Sequence, residues 1–189
     1  MEKLTVGLAL CGSYCTYAKM MEAAEHLCEV YNVVPILSEH AASTDSRFGK
    51  AQEFREKLEQ FSGKPVIEDI TAAEPIGPRK LLDALIIAPC TGNTIAKLAA
   101  GIADTSVTLA VKAHLRNNRP VIVAVSTNDG LSGNAANIGK LLNRKQYYFV
   151  PFGQDDPVGK PTSLVADFRR IEETVEAAMR GVQIQPILL

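Results

Sequence analysis

The sequence predicts an α/β fold, a single Rossmann-like three-layer domain with a mostly parallel, doubly wound sheet spanning residues 1–189. Three observations predict it. Short apolar runs of strand length alternate with amphipathic stretches of about 10–15 residues, the signature of βαβ units. The strand-like runs are almost continuously apolar, as strands covered on both faces must be. Finally, 189 residues with 47% hydrophobic and 22% charged side chains suit one full-sized core, with no linker or repeat to mark a second.

The elements follow in order. Leu4–Leu10 reads as the first strand, and Thr16–Tyr31 as a helix with Tyr17, Met20, Met21, Ala24, Leu27 and Cys28 at intervals of three and four. Val33–Leu37 is the second strand. Ser38–Gly49 is polar and irregular, and Lys50–Phe61 is a helix carrying Phe54, Leu58 and Phe61 on one face and stopped by Gly63 and Pro65. Glu68–Lys80, with Pro75, Gly77 and Pro78, reads as a loop of fixed shape. Ala84–Ala88 is the most hydrophobic strand. Helices over Asn93–Ala103 and Ser106–Arg116, a strand over Pro120–Val125, a helix over Ala135–Asn143 and a strand over Tyr147–Val150 come next, and Val165–Met179 closes the chain as its last long helix.

Composition excludes several classes. Twenty Lys+Arg against twenty-one Asp+Glu leave a net charge of −1 without a run of one sign, which argues against nucleic-acid or polybasic membrane binding. No apolar stretch approaches the roughly 18 residues that span a bilayer. The opening MEKLTVGLAL runs straight into a strand pattern instead of a secretory leader, so a cytoplasmic location is expected. Cys11, Cys15, Cys28 and Cys90 lack zinc-site spacing and read as reduced thiols, so no metal is expected.

In doubly wound sheets, ligands bind beyond the carboxyl ends of the strands. That rule selects Cys11–Thr16, Ser38–Phe48, Pro89–Thr94 and Ser126–Asn134, all rich in Gly, Ser, Thr and Asn. Gly12 permits a tight turn, and the Ser13 and Thr16 hydroxyls with neighbouring amides suit an anion at a helix start. Neither G-x-G-x-x-G nor a Walker A loop is present. In Pro89-Cys90-Thr91-Gly92-Asn93-Thr94, small residues allow close approach to the backbone, and Asn93 offers a donor and an acceptor for a flat heterocycle.

The stretch P-C-T-G-N-T-x-A-K-x-A-x-G-I-A-D from Pro89 to Asp104 resembles the P-A-S-A-N-T-x-x-K-x-A-x-G-I-x-D signature of the flavoprotein family that includes flavin-containing cysteine decarboxylases. The resemblance covers most of the chain. It implies flavin mononucleotide (FMN) as cofactor, with Ser/Thr groups on its phosphate and the asparagine region near its ring and the substrate. The residues carried over are Gly12, Ser13, Ser38, Pro89, Thr91, Asn93, Thr94, Ser126, Thr127 and Asn128. Cys90 and Gly92 depart from the wider motif. The segments Ser43–Gly49, Ala73–Pro78, Arg116–Pro120, Ser126–Asp129, Pro151–Pro157 and Gln185–Leu188 are similar to one branch, the dipicolinate synthase B subunits of endospore-forming bacteria. This implies an oxidoreductase subunit acting during sporulation in the mother cell. Its partner is a nucleotide-binding A subunit carrying NAD(P), and together they oxidise a dihydrodipicolinate-level intermediate to dipicolinate. A flavin-dependent decarboxylase or prenyltransferase of the wider family, or a degenerate, non-catalytic partner subunit, remain as alternatives.

A dicarboxylate substrate needs cations. Arg47 in the loop after strand two can take a carboxylate bidentately, and Lys80, with Arg79, follows the stiff proline loop. The catalytic acid/base is left unassigned, because His26, His40 and His114 fall outside the context of the decarboxylases' substrate histidine. Asp155-Asp156 is read as a turn, since adjacent side chains seldom converge, and Pro151–Pro161 as a lid or subunit contact. The apolar tail, about 182–189, is expected at a subunit interface of a homo-oligomer.

Overall fold

A computed structural model describes residues 3–189; Met1 and Glu2, part of the 1–189 span read from the sequence, lie outside the described residues. One seven-stranded sheet organises the chain. Strand β1 (Thr5–Leu10) lies between β2 (Asn32–Leu37) and β3 (Ala84–Cys90), and β4 (Val121–Thr127) follows β3, all parallel. The central strands are buried along nearly their whole length, which explains their lack of alternation. Gly7 lets β1 pass under its neighbours, because a Cβ there would sit 2.6 Å from Leu85 Cδ1 and 2.7 Å from Leu82 Cδ1.

Helices cover both faces. Helices α1 (Tyr17–Val30), α3 (Ala51–Ser62) and α8 (Ile171–Met179) form one layer. Helices α4 (Ile70–Ala73), α5 (Gly92–Ala100), α6 (Ser106–Leu115) and α7 (Ala135–Leu142) form the other. The chain winds from β1 outward to β2, then returns across β1 to β3. The strand order therefore reverses between β1 and β3, where a crevice opens at the carboxyl ends.

Three regions differ from the sequence reading. The irregular Ser38–Gly49 contains a short helix α2 (Glu39–Ser43), and the fixed loop Glu68–Lys80 contains α4 and a 3₁₀ turn at Glu74–Ile76. Each short helix is set by its cap: Ser38 Oγ accepts from Ala41 N–H at 3.3 Å and Asp69 Oδ1 from Ala72 N–H at 2.7 Å. One turn is too little for a hydrophobic period to register. The third difference is larger. The last helix starts at Ile171, not Val165, because Leu164–Ala166 is a strand, β7.

Strand β7 exists because of how β4 shares its edge. The short parallel β5 (Tyr147–Phe149) pairs with Val121–Val123 only. Ser126 and Thr127 beyond it need other backbone partners, and β7 supplies them in antiparallel register. In turn β7 pairs with β6 (Phe152–Gly153), inside the segment read as a lid. The tail continues outward: Phe152 N–H donates to Ile187 O and Leu189 N–H to Phe152 O, each at 3.0 Å. The side chains of Val182, Leu188 and Leu189 stay exposed. No helix among the described residues is long and apolar enough to cross a membrane.

Candidate functional site

At the carboxyl ends of β1 and β4 lies a cleft of about 1270 Å³. One wall is the turn after β1 and the outward stripe of α1; the other is the chain from Gly153 to Glu172, brought over by β6 and β7. Cys11 N–H donates to Pro89 O at 3.2 Å, which fixes the spacing of the β1 and β3 ends. Past this tie the chain turns at Gly12, and the Ser13 and Ser126 hydroxyls meet at 2.7 Å. Thr16 Oγ1 donates to Ser13 O at 2.8 Å, and the buried Tyr17 hydroxyl donates to Cys11 O at 2.9 Å from below. The leading amides of the 3₁₀ turn Tyr14–Thr16 have no partner within their own turn, as at any helix start.

The third loop is braced from beneath. Thr127 Oγ1 and Asn134 Nδ2 donate to the two oxygens of Asp129 at 2.5 and 2.7 Å. Thr162 Oγ1 donates to Asn128 O at 2.6 Å, tying this loop to the segment after β6. Gly92 opens α5 directly against the brace: a Cβ there would lie 2.5–2.7 Å from Asn134 Nδ2, Thr127 Oγ1 and Asp129 Oδ1. The hydroxyl-rich loop after β4 thus depends on a residue of α5 having no side chain.

Of the residues singled out from sequence, Gly12, Ser13, Thr91, Ser126, Thr127 and Asn128 line the cleft together. Pro89 and Thr94 are buried behind it. Thr91 Oγ1 caps α5 by accepting from Thr94 N–H at 3.4 Å, and Thr94 Oγ1 donates to Cys11 Sγ at 3.2 Å. Ser38 is buried as the cap of α2, and Asn93 is exposed on the first turn of α5; neither lines the cleft. Arg47 is exposed, its guanidinium 4.8 Å over the ring of Phe48, and only Phe48 reaches the cleft.

Lys80, read from the sequence as a substrate cation, lies away from this cleft. It lies at the amino ends of the strands, where its carbonyl accepts from Arg119 at 3.2 Å, one residue before Leu81 leads into β3. Its place is the end of the sheet opposite the cleft. The proline loop before it folds toward α6, as Asn117 Nδ2 donating to Gly77 O at 3.0 Å shows. Asp155 and Asp156 turn to different partners, Lys160 Nζ at 2.7 Å and Gly159 N–H at 2.8 Å.

The cleft also holds residues that no sequence motif selected: Lys19, His26, Gln154, Lys160 and Arg169. For Lys19 and His26 a signal was present, because Cys15, Lys19, Glu22 and His26 form one stripe at helical spacing that ends in polar residues beside the buried face. His26 Nε2 pairs with Glu172 at 2.7 Å, joining α1 to α8, and that hydrogen bond raises its pKa. Beneath the cleft floor, burial pushes the Cys11 thiol up to about 11 and the Cys90 thiol well above its usual value. Both remain protonated at neutral pH and serve as small packing groups. No group of three or more metal-binding side chains comes together among the described residues.

Known proteins share both the sequence and the fold. Residues 1–181 match the family described as flavoprotein. The chain is 43% identical over 185 residues to the dipicolinate synthase B subunit of Bacillus subtilis (strain 168), covering 97% of this chain and 92% of that protein. The crystal structure of the dipicolinate synthase B subunit from Bacillus halodurans C superposes with a TM-score of 0.90 at 43% identity, covering 100% of this chain and 98% of that one. An FMN-dependent cysteine decarboxylase, SpaF, shares the fold with a TM-score of 0.68 at 20% identity, covering 93% and 97% of the two chains.

Proposed function

The chain belongs to the flavoprotein family, and from that membership we propose that it is the B-type subunit of a dipicolinate synthase. The observation that carries the proposal is the agreement of two scales: full-length similarity to subunits of that name, and loops from β1, β3 and β4 that meet in one hydroxyl-lined cleft. In this reading the chain is an oxidoreductase subunit of the mother-cell cytoplasm. It acts with a nucleotide-binding A subunit that carries NAD(P), and a dihydrodipicolinate-level intermediate is oxidised to dipicolinate.

The donor set fits FMN. Ser13 and Ser126 present a hydroxyl pair and the turn after β1 presents amides, the chemistry a phosphate and a ribityl chain require, while Thr127 and Thr91, tied to Asp129 and to the cap of α5, shape the wall beside them. Asn128 adds an amide for the flat ring system. Bound there, FMN would supply a two-electron acceptor for aromatisation, in which a hydride equivalent and a proton leave the ring. The chain's own contribution is to bind and orient. The Asp129 brace fixes the loop after β4, and the segment from Gly153 to Glu172 supplies the second wall of the cleft.

The test is reconstitution. The purified chain should take up added FMN and turn yellow, and the complex with its A subunit should form dipicolinate in a spectrophotometric assay. A chain that stays colourless with excess FMN removes the cofactor assignment. Full dipicolinate synthesis by the A subunit alone makes the chain a non-catalytic companion.

A further inference from the structure

The near-neutral sum of charges conceals a segregation that the fold creates. The turns that enter β3, β4 and β5 lie side by side at the amino ends of the strands, opposite the cleft. They carry Arg79, Lys80, Arg116 and Lys145, and the last turns of α6 and α7 add Lys112 and Lys140. All six cations are exposed, and none makes an ion pair among the described residues. The carboxylate in these turns, Asp83, is already taken by Arg119 at 3.4 Å.

The strip is held rigid. Lys80 O accepts from Arg119 at 3.2 Å, joining the first turn to the second, and Asn118 Oδ1 accepts from Gln146 Nε2 at 3.1 Å, joining the second to the third. Lys80, Asn118 and Gln146, one in each turn, have φ of 51°, 54° and 69°, and among the described residues every other positive φ belongs to a glycine. Glycine takes this conformation without steric cost, so three polar side chains are kept here against strain. Strain of this kind clusters where a surface binds. Leu81 and Leu142 stand exposed in the same strip.

A surface of opposite sign lies on the other helical layer. Helix α1 carries Glu22, Glu25 and Glu29, and α8 carries Glu172, Glu173 and Glu176, against the one lysine Lys19. The bond from His26 to Glu172 at 2.7 Å joins the two helices into one face. His26 also lies 3.8 Å from Glu29, and Arg170 pairs with Glu173 at 3.0 Å. Glu22, Glu25 and Glu176 are exposed and without an ion-pair partner among the described residues. The exposed Met179 follows Glu176 by three residues, which places it on the same helix face.

We propose that the basic strip of one copy of this chain docks on the α1–α8 face of a second copy. The complement to the strip is present in the chain itself, opposite in sign and likewise left with unpaired charges, and lying on a different side it cannot neutralise the strip within one molecule. Leu81 and Leu142 meet Met179 at the apolar centre, and the cations meet the free glutamates around it. The charges set register and partner choice, and the contact is heterologous because its two halves differ.

The experiment is sedimentation velocity of the full chain at about 0.1 M and about 1 M salt, between which the screening length falls from about 10 to about 3 Å. The native chain self-associates at the lower salt and less at the higher. Lys80→Glu/Arg116→Glu and Glu25→Lys/Glu176→Lys each weaken association at least tenfold, because like charges then face each other. An equimolar mixture of the two variants associates again, and so does one chain carrying all four substitutions. All four positions are exposed, and an unchanged thermal midpoint separates lost contact from lost fold. A native chain that stays monomeric at the lower salt overturns the proposal. So does an assembly indifferent to salt and to both variants, and so does a mixture that fails to associate.

Discussion

His114 closes α6 at the amino end of the sheet and is fully buried. Its Nε2 donates to Pro120 O at 3.0 Å, while Nδ1 has no partner among the described residues. A second proton would have to go onto that unpartnered nitrogen, out of reach of water, and burial accordingly lowers the pKa to about 4 from the ordinary 6.5. The nearby Arg119 lowers it further, and only the Pro120 carbonyl and Asp83 oppose. The unfolded chain takes up a proton on this ring as pH falls through 6.5, and the folded chain does not until about 4. Stability is therefore present in full above pH 6.5 and drains away between 6.5 and 4, at about 1.4 kcal/mol per pH unit within the window. From pH 7.5 to 5 the loss is about 2 kcal/mol, or a fall of about 4–8 °C in the melting midpoint for a chain of this size. His114→Gln keeps an amide to donate to Pro120 and cannot titrate, so its profile over the same range should be flatter by that amount. The assay is urea denaturation of both proteins at matched pH values. Equal pH dependence in the two would refute the argument, and would mean that the ring is hydrated or its second nitrogen partnered.

The other predictions concern the cleft. Gly92→Ala must displace Asn134, Thr127 and Asp129, so it should cost about 1–3 kcal/mol in unfolding free energy, with FMN uptake weakened through the loop after β4. A variant as stable as the native chain would show that the brace tolerates a methyl group. Ser13→Ala and Ser126→Ala should each weaken FMN about tenfold by fluorescence titration, and the double variant should lose less than the two separately because the hydroxyls are mutual partners. Fully additive losses would indicate that the two hydroxyls act independently.

Much of the fold was legible because it rests on long, fully buried strands. Ala84–Cys90 is apolar throughout, and Leu4–Leu10 nearly so, and nothing but a central strand of a covered sheet accommodates them. The site was legible in part for a related reason. The rule that ligands sit beyond strand ends selected the turns after β1, β3 and β4, and these do line one cleft. What the rule does not say is which side of a loop a side chain takes. Thr94 and Ser38 carry the right chemical groups but commit them to capping and to a buried thiol. Lys80 was chosen for its charge after a stiff loop, which carries no information about the end of the sheet it occupies; Arg47 follows β2 at the cleft's end of the sheet, but its guanidinium lies over Phe48 and is not on the lining.

The segment Pro151–Pro161 was singled out, but the strand pairing that builds the opposite wall was illegible for a different reason. Phe152–Gly153 and Leu164–Ala166 form strands of two and three residues, too short to alternate, and Val165 carries on smoothly into the helical period of α8. Their pairing follows from a demand elsewhere in the chain, the backbone of Ser126 and Thr127 that β5 is too short to reach. The same demand links architecture to chemistry. Had β5 run the full length of β4, it would itself have paired with Ser126 and Thr127, and no strand would have been needed to bring Gln154, Asp155 and Lys160 into the cleft lined by Ser13. Because β5 stops at Phe149, the chain must double back along the end of β4, and in doing so it carries a second, charged wall over the hydroxyl loops. A short edge strand thus turns the usual open crevice of this fold into a two-walled cleft.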